Sequence, residues 1–157
     1  MKQKLFFLSI LFFLIDFVSK RIIENTMKLY ESIKIIPNFF NITYVVNDGA
    51  AFSILSGKQI FLIILGIGVL LFLIYSIQKE KLTTLKIIYY SLLIGGILGN
   101  LFDRILFNGV KDFLDFKIFV YDAPVFNLAD TFIFIGVVLI IIENIIGGEN
   151  GIFSRRR

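Results

Sequence analysis

The residues best suited to chemistry in this chain are its aspartates, because the sequence contains no His and no Cys. Without imidazole or thiol, the chain cannot form a Ser-His-Asp triad, a Cys-His dyad or a disulfide, and most zinc sites are excluded. Ionisable groups near membrane depth are costly and by default functional, so the carboxyls are the leading candidates for catalysis. All the aspartates lie near the ends of long apolar stretches; they are Asp16, Asp48, Asp103, Asp112, Asp115, Asp122 and Asp130.

Asp112 and Asp130 have the positions expected of a catalytic carboxyl pair. Asp112 follows the third apolar stretch, and Asp130 opens the fourth, so the connection between them begins and ends at adjacent helices. Two carboxyls in one poorly solvated place cannot both ionise cheaply, and one proton is then shared. As in aspartic proteases, one carboxylate would act as base on a water while the other donates to the scissile carbonyl oxygen. Such a site requires no metal and no cofactor.

Further polar residues are spaced so that they share helix faces. Asp16 and Lys20 are four residues apart, which fits a structural ion pair and equally a pair that shapes a site. Asn100 and Asp103 are three apart on the third helix, beside Arg104. An amide, an acid and a guanidinium together resemble the supports of a catalytic group, although an interfacial charge cluster has the same composition.

The segment FNLAD also has a purely structural interpretation. Asn127 precedes Asp130 by three residues, and a side-chain oxygen at a helix N-cap satisfies backbone N–H groups of the first turn. N-capping explains Asn127 well. It explains Asp130 less well, because an apolar run, TFIFIGVVLIII, follows Asp130 at once.

Four long apolar stretches must position these residues. The chain has 157 residues, 57% of them hydrophobic, and its mean hydropathy is +0.87, which indicates a membrane protein. Each stretch is close to the ~20 residues that a helix needs to cross ~30 Å of hydrocarbon. They run roughly over Leu5–Ile23, Gln59–Ile77, Ile87–Leu106 and Phe126–Ile146. We therefore predict a single membrane-embedded all-α domain over residues 1–157, with four transmembrane helices and a small β element.

The orientation in the membrane follows from where basic residues are concentrated. The N-terminus resembles a signal peptide, but it lacks a small-residue cleavage site, so we expect a retained first helix. Four spans put both termini on one side, and of the 16 Lys and Arg eight fall on each side. Per residue, the termini and the loop QKEKLTTLK are richer in them, which makes these segments cytoplasmic. The net charge of +4 reflects this topology, and no nucleic-acid partner is expected.

The two remaining segments, residues 24–58 and 107–125, then face outward and are predicted to form a β platform. IKIIPNFFNITYVVNDGAAF has β-branched and aromatic runs, which predict short strands with a turn at Asn47-Asp48-Gly49. The following AAFSIL fits a short amphipathic helix on the membrane surface. VKDFLDFKIFVYDAPVF alternates apolar and polar residues and would add a strand to the same sheet.

Gly95 and Gly99 give the third helix a small-xxx-small pattern. Residues without bulky side chains let helix backbones approach closely. We interpret the pattern as packing inside one molecule rather than as a dimer interface, and we expect a monomer.

Four sequence blocks resemble the signature motifs of the lipoprotein signal peptidases, also called signal peptidase II. The blocks are FFLIDFVSK, FNITYVVNDGAAF, GGILGNLFDRILFNGVKDF and FNLAD, and they follow the family's order and spacing from the first helix to the fourth. Any single block is a weak signal, but all of them in order are highly specific. One departure is Phe17, where a Gln is commoner in the family, and it bears on the hydrogen bonds around Asp16.

The resemblance implies an aspartyl protease of the bacterial inner membrane that cuts a prolipoprotein just before its diacylglyceryl-modified cysteine. Asp112 and Asp130 match the catalytic pair, and Lys20 matches the basic residue that follows the first-helix Asp. The resemblance also implies sensitivity to globomycin-type cyclic peptides that occupy the site. The motif positions that line or support the site are Asp16, Asn47, Asn100, Asp103, Arg104, Asn127 and Ala129.

Three aspartates match no signature position and are interpreted as solvated loop charges; they are Asp48, Asp115 and Asp122.

Two other functions are compatible with parts of the same sequence. A Ser-Lys protease would use Ser19 with Lys20 or Ser56 with Lys58, but neither spacing makes a convincing dyad. A small transporter would line a polar path with aspartates, but transporters usually place charges near the midplane, whereas these charges cluster at one interface.

Overall fold

The computed structural model describes residues 1–49, 54–118 and 121–146 of the chain. The described part is mostly helical, with one small antiparallel sheet. In chain order, its elements are α1 (Lys2–Thr26), β1 (Ser32–Ile36), β2 (Phe40–Asn47), α2 (Gln59–Lys79), α3 (Thr84–Phe107), β3 (Val110–Ile118), β4 (Tyr121–Asp122) and α4 (Leu128–Ile146).

Three of the helices are long and apolar enough to cross a membrane. They are α2, α3 and the Leu128–Ile145 part of α4, with mean hydropathies of 2.9, 1.5 and 2.2. The fourth long helix, α1, has 25 residues but carries charged groups along its length, two of which, Asp16 and Lys20, are buried inside the protein. The structure therefore contains helices long enough to span a membrane, in agreement with the membrane protein that the composition indicates.

The least apolar of the three spans, α3, forms the centre of the helical bundle. Its apolar window is 61% buried inside the protein, against 17% for α2 and 11% for the span in α4. It packs against α1 and α4, and less extensively against α2. Since α3 is shielded by protein rather than by lipid, it can carry polar side chains that a lipid-facing helix could not.

Glycines on α3 allow this close packing. A Cβ at Gly95 would lie 2.6 Å from Phe12 Cβ and 2.9 Å from the Ser9 carbonyl oxygen on α1. A Cβ at Gly99 would collide with the Asp16 carboxylate. The small-xxx-small pattern is thus used inside the molecule, as predicted, and it also makes room for a buried carboxylate between two helices.

The sheet has the order β1-β2-β3-β4 and sits at the end of the bundle where α1 and α3 finish. The predicted strand in the second connection is confirmed as β3. The predicted turn at Asn47-Asp48-Gly49 is confirmed: β2 ends at Asn47, and the Gly49 backbone N–H donates to Asn47 Oδ1 at 2.9 Å. A separate turn, Pro37–Phe39, joins β1 and β2, and in it Asn38 takes the left-handed conformation with φ 58°. Most of the predicted surface helix, residues 50–55, lies outside the described residues.

The turn from α3 into β3 positions the third helix relative to the sheet. Asn108 takes a left-handed conformation with φ 56°, and its backbone N–H donates to the Arg104 carbonyl oxygen. This left-handed cap ends the helix and reverses the chain. Two residues later β3 begins, and its pairing sets Val110 opposite Asn47 and Asp112 opposite Val45. The reversal thus carries Asp112 back over the end of the bundle.

Candidate active site

Asn127 brings Asp112 and Asp130 together, although they are 18 residues apart in the sequence. Its side-chain Nδ2 donates to Asp112 Oδ1 at 2.6 Å. Its Oδ1 accepts from the Asp130 backbone N–H at 2.9 Å, and its own N–H lies 3.4 Å from Asp130 Oδ2. The reciprocal pair is a capping box at the start of α4. The capping interpretation of Asn127 is therefore confirmed, and the same side chain also joins the two acids.

Two more asparagines donate to the same carboxyl pair. Asn100 Nδ2 on α3 donates to Asp130 Oδ1 at 2.7 Å. Asn47 Nδ2, at the end of β2, donates to Asp112 Oδ2 at 3.2 Å. Each carboxyl oxygen thus accepts an N–H from a group that cannot titrate. These donors come from three separate parts of the fold and fix the planes of both carboxyls.

A cavity of about 400 Å³ opens beside the pair and is lined by both acids, Asn47 and Arg104. The rest of its wall is largely apolar. Polar groups converging in an apolar cavity are the usual form of a small binding site. A polypeptide carbonyl that entered here would meet two carboxyls and a guanidinium.

Burial, together with the charge of the neighbouring Asp130 carboxylate, raises the pKa of the Asp112 carboxyl to about 7. The hydrogen bonds from Asn127 and Asn47 oppose this shift without cancelling it. The raised pKa keeps a proton on Asp112 close to neutral pH, and a carboxyl that is protonated there can act as a general acid.

We expect the rate of catalysis to fall as pH rises through about 7, because Asp112 then loses its proton. The stability of the folded protein should also decrease as pH rises. The folded pKa of Asp112 lies above the ordinary value of 3.8, so its contribution is fully present below that value and is lost as pH rises through about 7. Thermal midpoints should therefore show the wild type losing stability relative to Asp112→Asn across this window and then levelling off. A pH-independent difference would contradict the raised pKa.

Lys20 organises the buried charges behind the pair. It is 2% exposed, and its Nζ lies 2.7 Å from Asp16 Oδ2 and 3.3 Å from Asp103 Oδ2. The same Nζ donates to Asn100 Oδ1 at 3.1 Å. With its oxygen turned towards the ammonium, Asn100 must turn its NH₂ towards Asp130. Lys20 therefore neutralises buried acids and also orients a donor of the site.

The two supporting acids each hold a segment that carries one member of the pair. Asp16 Oδ1 accepts from the Ala129 backbone N–H at 2.8 Å, beside Asp130 in the first turn of α4. Asp103 Oδ2 accepts from the Lys111 backbone N–H at 3.2 Å, beside Asp112 in β3. Ala129 is fully buried, so its small side chain suits the contact between α3 and α4.

Comparison with known proteins shows the family of this chain. The family described as Signal peptidase (SPase) II matches residues 8–146. The chain belongs to the signal peptidase II family. A "Lipoprotein signal peptidase" of Staphylococcus aureus (strain JH9) is 49% identical over 128 residues, which is 81% of this chain and 78% of that protein. The protein of strain Newman matches with the same values.

Two solved structures also resemble the fold. Both are described as a bacterial membrane enzyme determined by the in meso method, one at 2.3 Å and one at 1.9 Å resolution. The first has a TM-score of 0.83 and 44% identity over 88% of this chain and 85% of the other. The second has a TM-score of 0.83 and 42% identity over 92% and 94%. Membership of the signal peptidase II family makes this chain a membrane protease.

The contacts of Ser19 and Ser56 bear on the alternative of a Ser-Lys protease. Ser19 Oγ donates to the Asp16 carbonyl oxygen at 2.7 Å, and Ser56 Oγ donates to the Asp48 carboxylate at 2.5 Å. The Lys20 ammonium contacts Asp16, Asp103 and the Asn100 side-chain oxygen. Within the described part of the chain, neither serine therefore has the lysine partner that this mechanism would require.

Asp115 is not the solvated loop charge that its position in the sequence suggests. It is half-buried on β3 and accepts from Asn41 Nδ2 at 3.1 Å and from Thr43 Oγ1 at 2.6 Å. The alternation of polar and apolar residues in β3 was the signal that placed it on a sheet face. Asp48 is exposed, as expected, and the side chain of Asp122 lies outside the described residues.

The departure at Phe17 fits an aromatic setting. Its ring stacks on Phe13 at 6.1 Å and meets Phe102 edge-on at 5.4 Å, measured between ring centroids. The Arg21 guanidinium lies 5.4 Å from the centre of the same ring. Asp16 obtains its partners from Lys20 and Ala129, so Phe17 supplies packing rather than a hydrogen bond.

Proposed function

We propose that Asp112 and Asp130 are the catalytic pair with which this protease removes signal peptides from prolipoproteins, cutting just before a diacylglyceryl-modified cysteine. Removal of signal peptides from prolipoproteins is the activity of its family. The observation that carries the assignment is Asn127, which hydrogen-bonds both acids at the mouth of one cavity. Supporting residues in this proposal are Asp16, Lys20, Asn47, Asn100, Asp103, Arg104, Asn127 and Ala129.

The proposed reaction needs one ionised and one protonated carboxyl. The ionised carboxyl takes a proton from water as the water oxygen bonds to the scissile carbonyl carbon. The protonated carboxyl donates to the carbonyl oxygen, giving a neutral tetrahedral intermediate. The carboxyl that took the proton from water then gives it to the nitrogen, and the other carboxylate takes a hydroxyl proton from the intermediate. The C–N bond breaks, which releases the signal peptide and a new N-terminus at the cysteine and returns both carboxyls to their starting states. Arg104, which lines the cavity and donates to the Gly49 carbonyl oxygen at 3.1 Å, is placed to hold substrate carbonyls.

A gel-shift cleavage assay tests this function. Purified protein in detergent is mixed with a diacylglyceryl-modified prolipoprotein and, separately, with the same polypeptide left unlipidated. Cleavage of the lipidated form alone is the expected result. Cleavage of neither form by a folded wild type would refute the proposed function, and equal cleavage of both would refute the lipid requirement.

A lipid requirement is supported by an apolar groove that opens beside the catalytic cavity. The groove has a volume of about 460 Å³ and lies between α2, α3 and α4. Its lining and that of the catalytic cavity share Arg104, Ile133 and Val137. A substrate with its peptide bond at the acids could therefore lay an acyl chain in the groove, and each buried CH₂ would add roughly 0.8 kcal/mol.

Val137→Trp is expected to raise the KM for the lipidated substrate by about tenfold, because an indole at the junction would close the path from cavity to groove. Loss of a few buried methylenes corresponds to such a change. Ile135→Trp is the matched control, since Ile135 is exposed on α4 and lines neither space. Steady-state kinetics should show a normal KM for the control. An unchanged KM in Val137→Trp would exclude the groove as the acyl-chain site.

We further propose four transmembrane helices in a bacterial inner membrane, with α1 as the fourth span, both termini cytoplasmic and the sheet outside. The domain would comprise residues 1–157 and act as a monomer surrounded by membrane lipid, without metal or cofactor. Globomycin-type cyclic peptides would inhibit it by filling the cavity beside the acids. The grouping of the buried acids at one end of the bundle supports a site at the water boundary.

Cysteine labelling is expected to place the sheet outside the cell. Lys34→Cys lies on exposed β1, and Lys81→Cys lies in the exposed connection between α2 and α3. The natural chain has no Cys, so each variant carries a single thiol. A membrane-impermeant maleimide added to intact cells should label position 34 but not position 81. Labelling of position 81 alone would reverse the proposed topology.

A further inference from the structure

A second charged cluster, separate from the Lys20 network, lies where α1 ends and β3 begins. Its members are Arg21, Glu24, Phe107 and Lys111. Lys111 Nζ lies 3.1 Å from Glu24 Oε2, and Arg21 Nη1 lies 2.5 Å from the same oxygen. The Lys111 ammonium also stands 3.6 Å from the centre of the Phe107 ring. The cluster therefore ties the last turns of α1 and α3 to the first residues of β3.

Lys111 is unusual because its long, charged side chain is only 4% exposed. A buried ammonium is costly unless it is paired. Glu24 supplies the counter-charge, and the ring face of Phe107 supplies a cation–π contact. Nothing in the proposed cleavage reaction uses this charge, so its burial has another role.

The position of Lys111 in β3 suggests that role. It directly precedes Asp112, and successive side chains of a strand point to opposite faces. Lys111 is held at two points: its backbone N–H donates to Asp103, and its ammonium is held by Glu24. Because β3 is also paired with β2, these contacts of Lys111 restrain the strand next to Asp112. They thereby restrain the direction of the Asp112 side chain, which accepts from Asn127.

We propose that Glu24 and Lys111 form a positioning pair that sets the direction of the Asp112 carboxyl. The pair acts through β3 and touches no substrate. The inference rests on the proposed role of Asp112 in prolipoprotein cleavage. It predicts that loss of the pair slows the chemical step while leaving substrate binding unchanged.

The test is steady-state cleavage by Lys111→Met, Glu24→Gln, their double variant and Lys111→Arg. Lys111→Met, Glu24→Gln and the double variant should each shift the Asp112 carboxyl by up to about 1 Å. This shift is expected to lower kcat about tenfold, with KM within about twofold of the wild type. Lys111→Arg keeps both the charge and the ring contact and should retain most of kcat. The double variant should be no slower than the slower single variant, because each single substitution already removes the same Glu24–Lys111 interaction.

Lys34→Met is the matched control, since Lys34 is an exposed lysine on another strand of the same sheet. Normal kcat in both Lys111→Met and Glu24→Gln would overturn the inference, as would a change confined to KM. If Lys111→Met does not fold, Glu24→Gln decides alone, because Glu24 is partly exposed. Failure of the wild type to cleave in the same assay would instead refute the proposed function.

Discussion

Asp112→Asn and Asp130→Asn are each expected to abolish cleavage of the lipidated substrate, lowering the rate by about 10² to 10⁴-fold. An amide has nearly the shape of a carboxyl but can neither take a proton from water nor pass one to the leaving nitrogen. The loss should appear in kcat, because the cavity and the groove proposed to bind the substrate are unchanged. Single-turnover cleavage with enzyme in excess measures the chemical step directly.

Asp115→Asn is the matched control for this experiment. It lies on the same strand as Asp112, three residues later, and hydrogen-bonds Asn41 and Thr43 rather than the site. It should cleave at close to the wild-type rate. Thermal unfolding of both inactive variants should remain cooperative, and Asp112→Asn should be no less stable near neutral pH, where burial already disfavours the Asp112 carboxylate. Substantial activity in either Asp112→Asn or Asp130→Asn would exclude the pair.

Lys20→Met is expected to destabilise the protein by about 3–5 kcal/mol, because it leaves buried acids without their cation. Asp16 is fully buried, and Asp103 is 2% exposed. Removing one partner of a buried ion pair costs more than removing both, since the remaining charge keeps its desolvation penalty. Thermal unfolding in detergent, followed by circular dichroism, measures the change.

Adding Asp16→Asn to Lys20→Met should recover part of the lost stability, because only Asp103 then lacks a counter-charge. Activity should not return, since Lys20 also orients Asn100 towards Asp130. A Lys20→Met protein as stable as the wild type would show that the ammonium does not hold the buried acids. A double variant less stable than the single one would show that Asp16 does not depend on the ammonium of Lys20.

The helices and most of the site residues could be predicted because their signals are local. Apolar runs of membrane-spanning length predicted α2, α3 and α4 to within about three residues, and the helical spacing of Asn100 and Asp103 placed both on one face. A capping pattern marked the start of α4 at Asn127. Each of these features depends on residues a few positions apart.

The parts that could not be predicted depend on contacts between distant segments. Glu24 and Lys111 are 87 residues apart, and nothing in the local sequence distinguishes a buried lysine from a solvated one. The prediction for Asp115 was wrong for the same reason, since its partners lie on β2. The turn at Pro37–Phe39 that joins β1 and β2 was not predicted, because its position depends on the pairing of the two strands.

The shallow packing of α2 has a consequence for how freely its sequence can change. Only Leu62, Leu73 and Ile77 are buried on this helix, and its mean hydropathy is the highest of the three spans. Elsewhere on α2, lipid tails would be the main neighbours if the helix spans the membrane as proposed, and lipid accepts any apolar side chain of ordinary size. Substitution between Leu, Ile, Val and Phe is therefore nearly neutral there, whereas on α3 the neighbours are fixed protein atoms. Over many generations, α2 should accumulate apolar exchanges faster than α3.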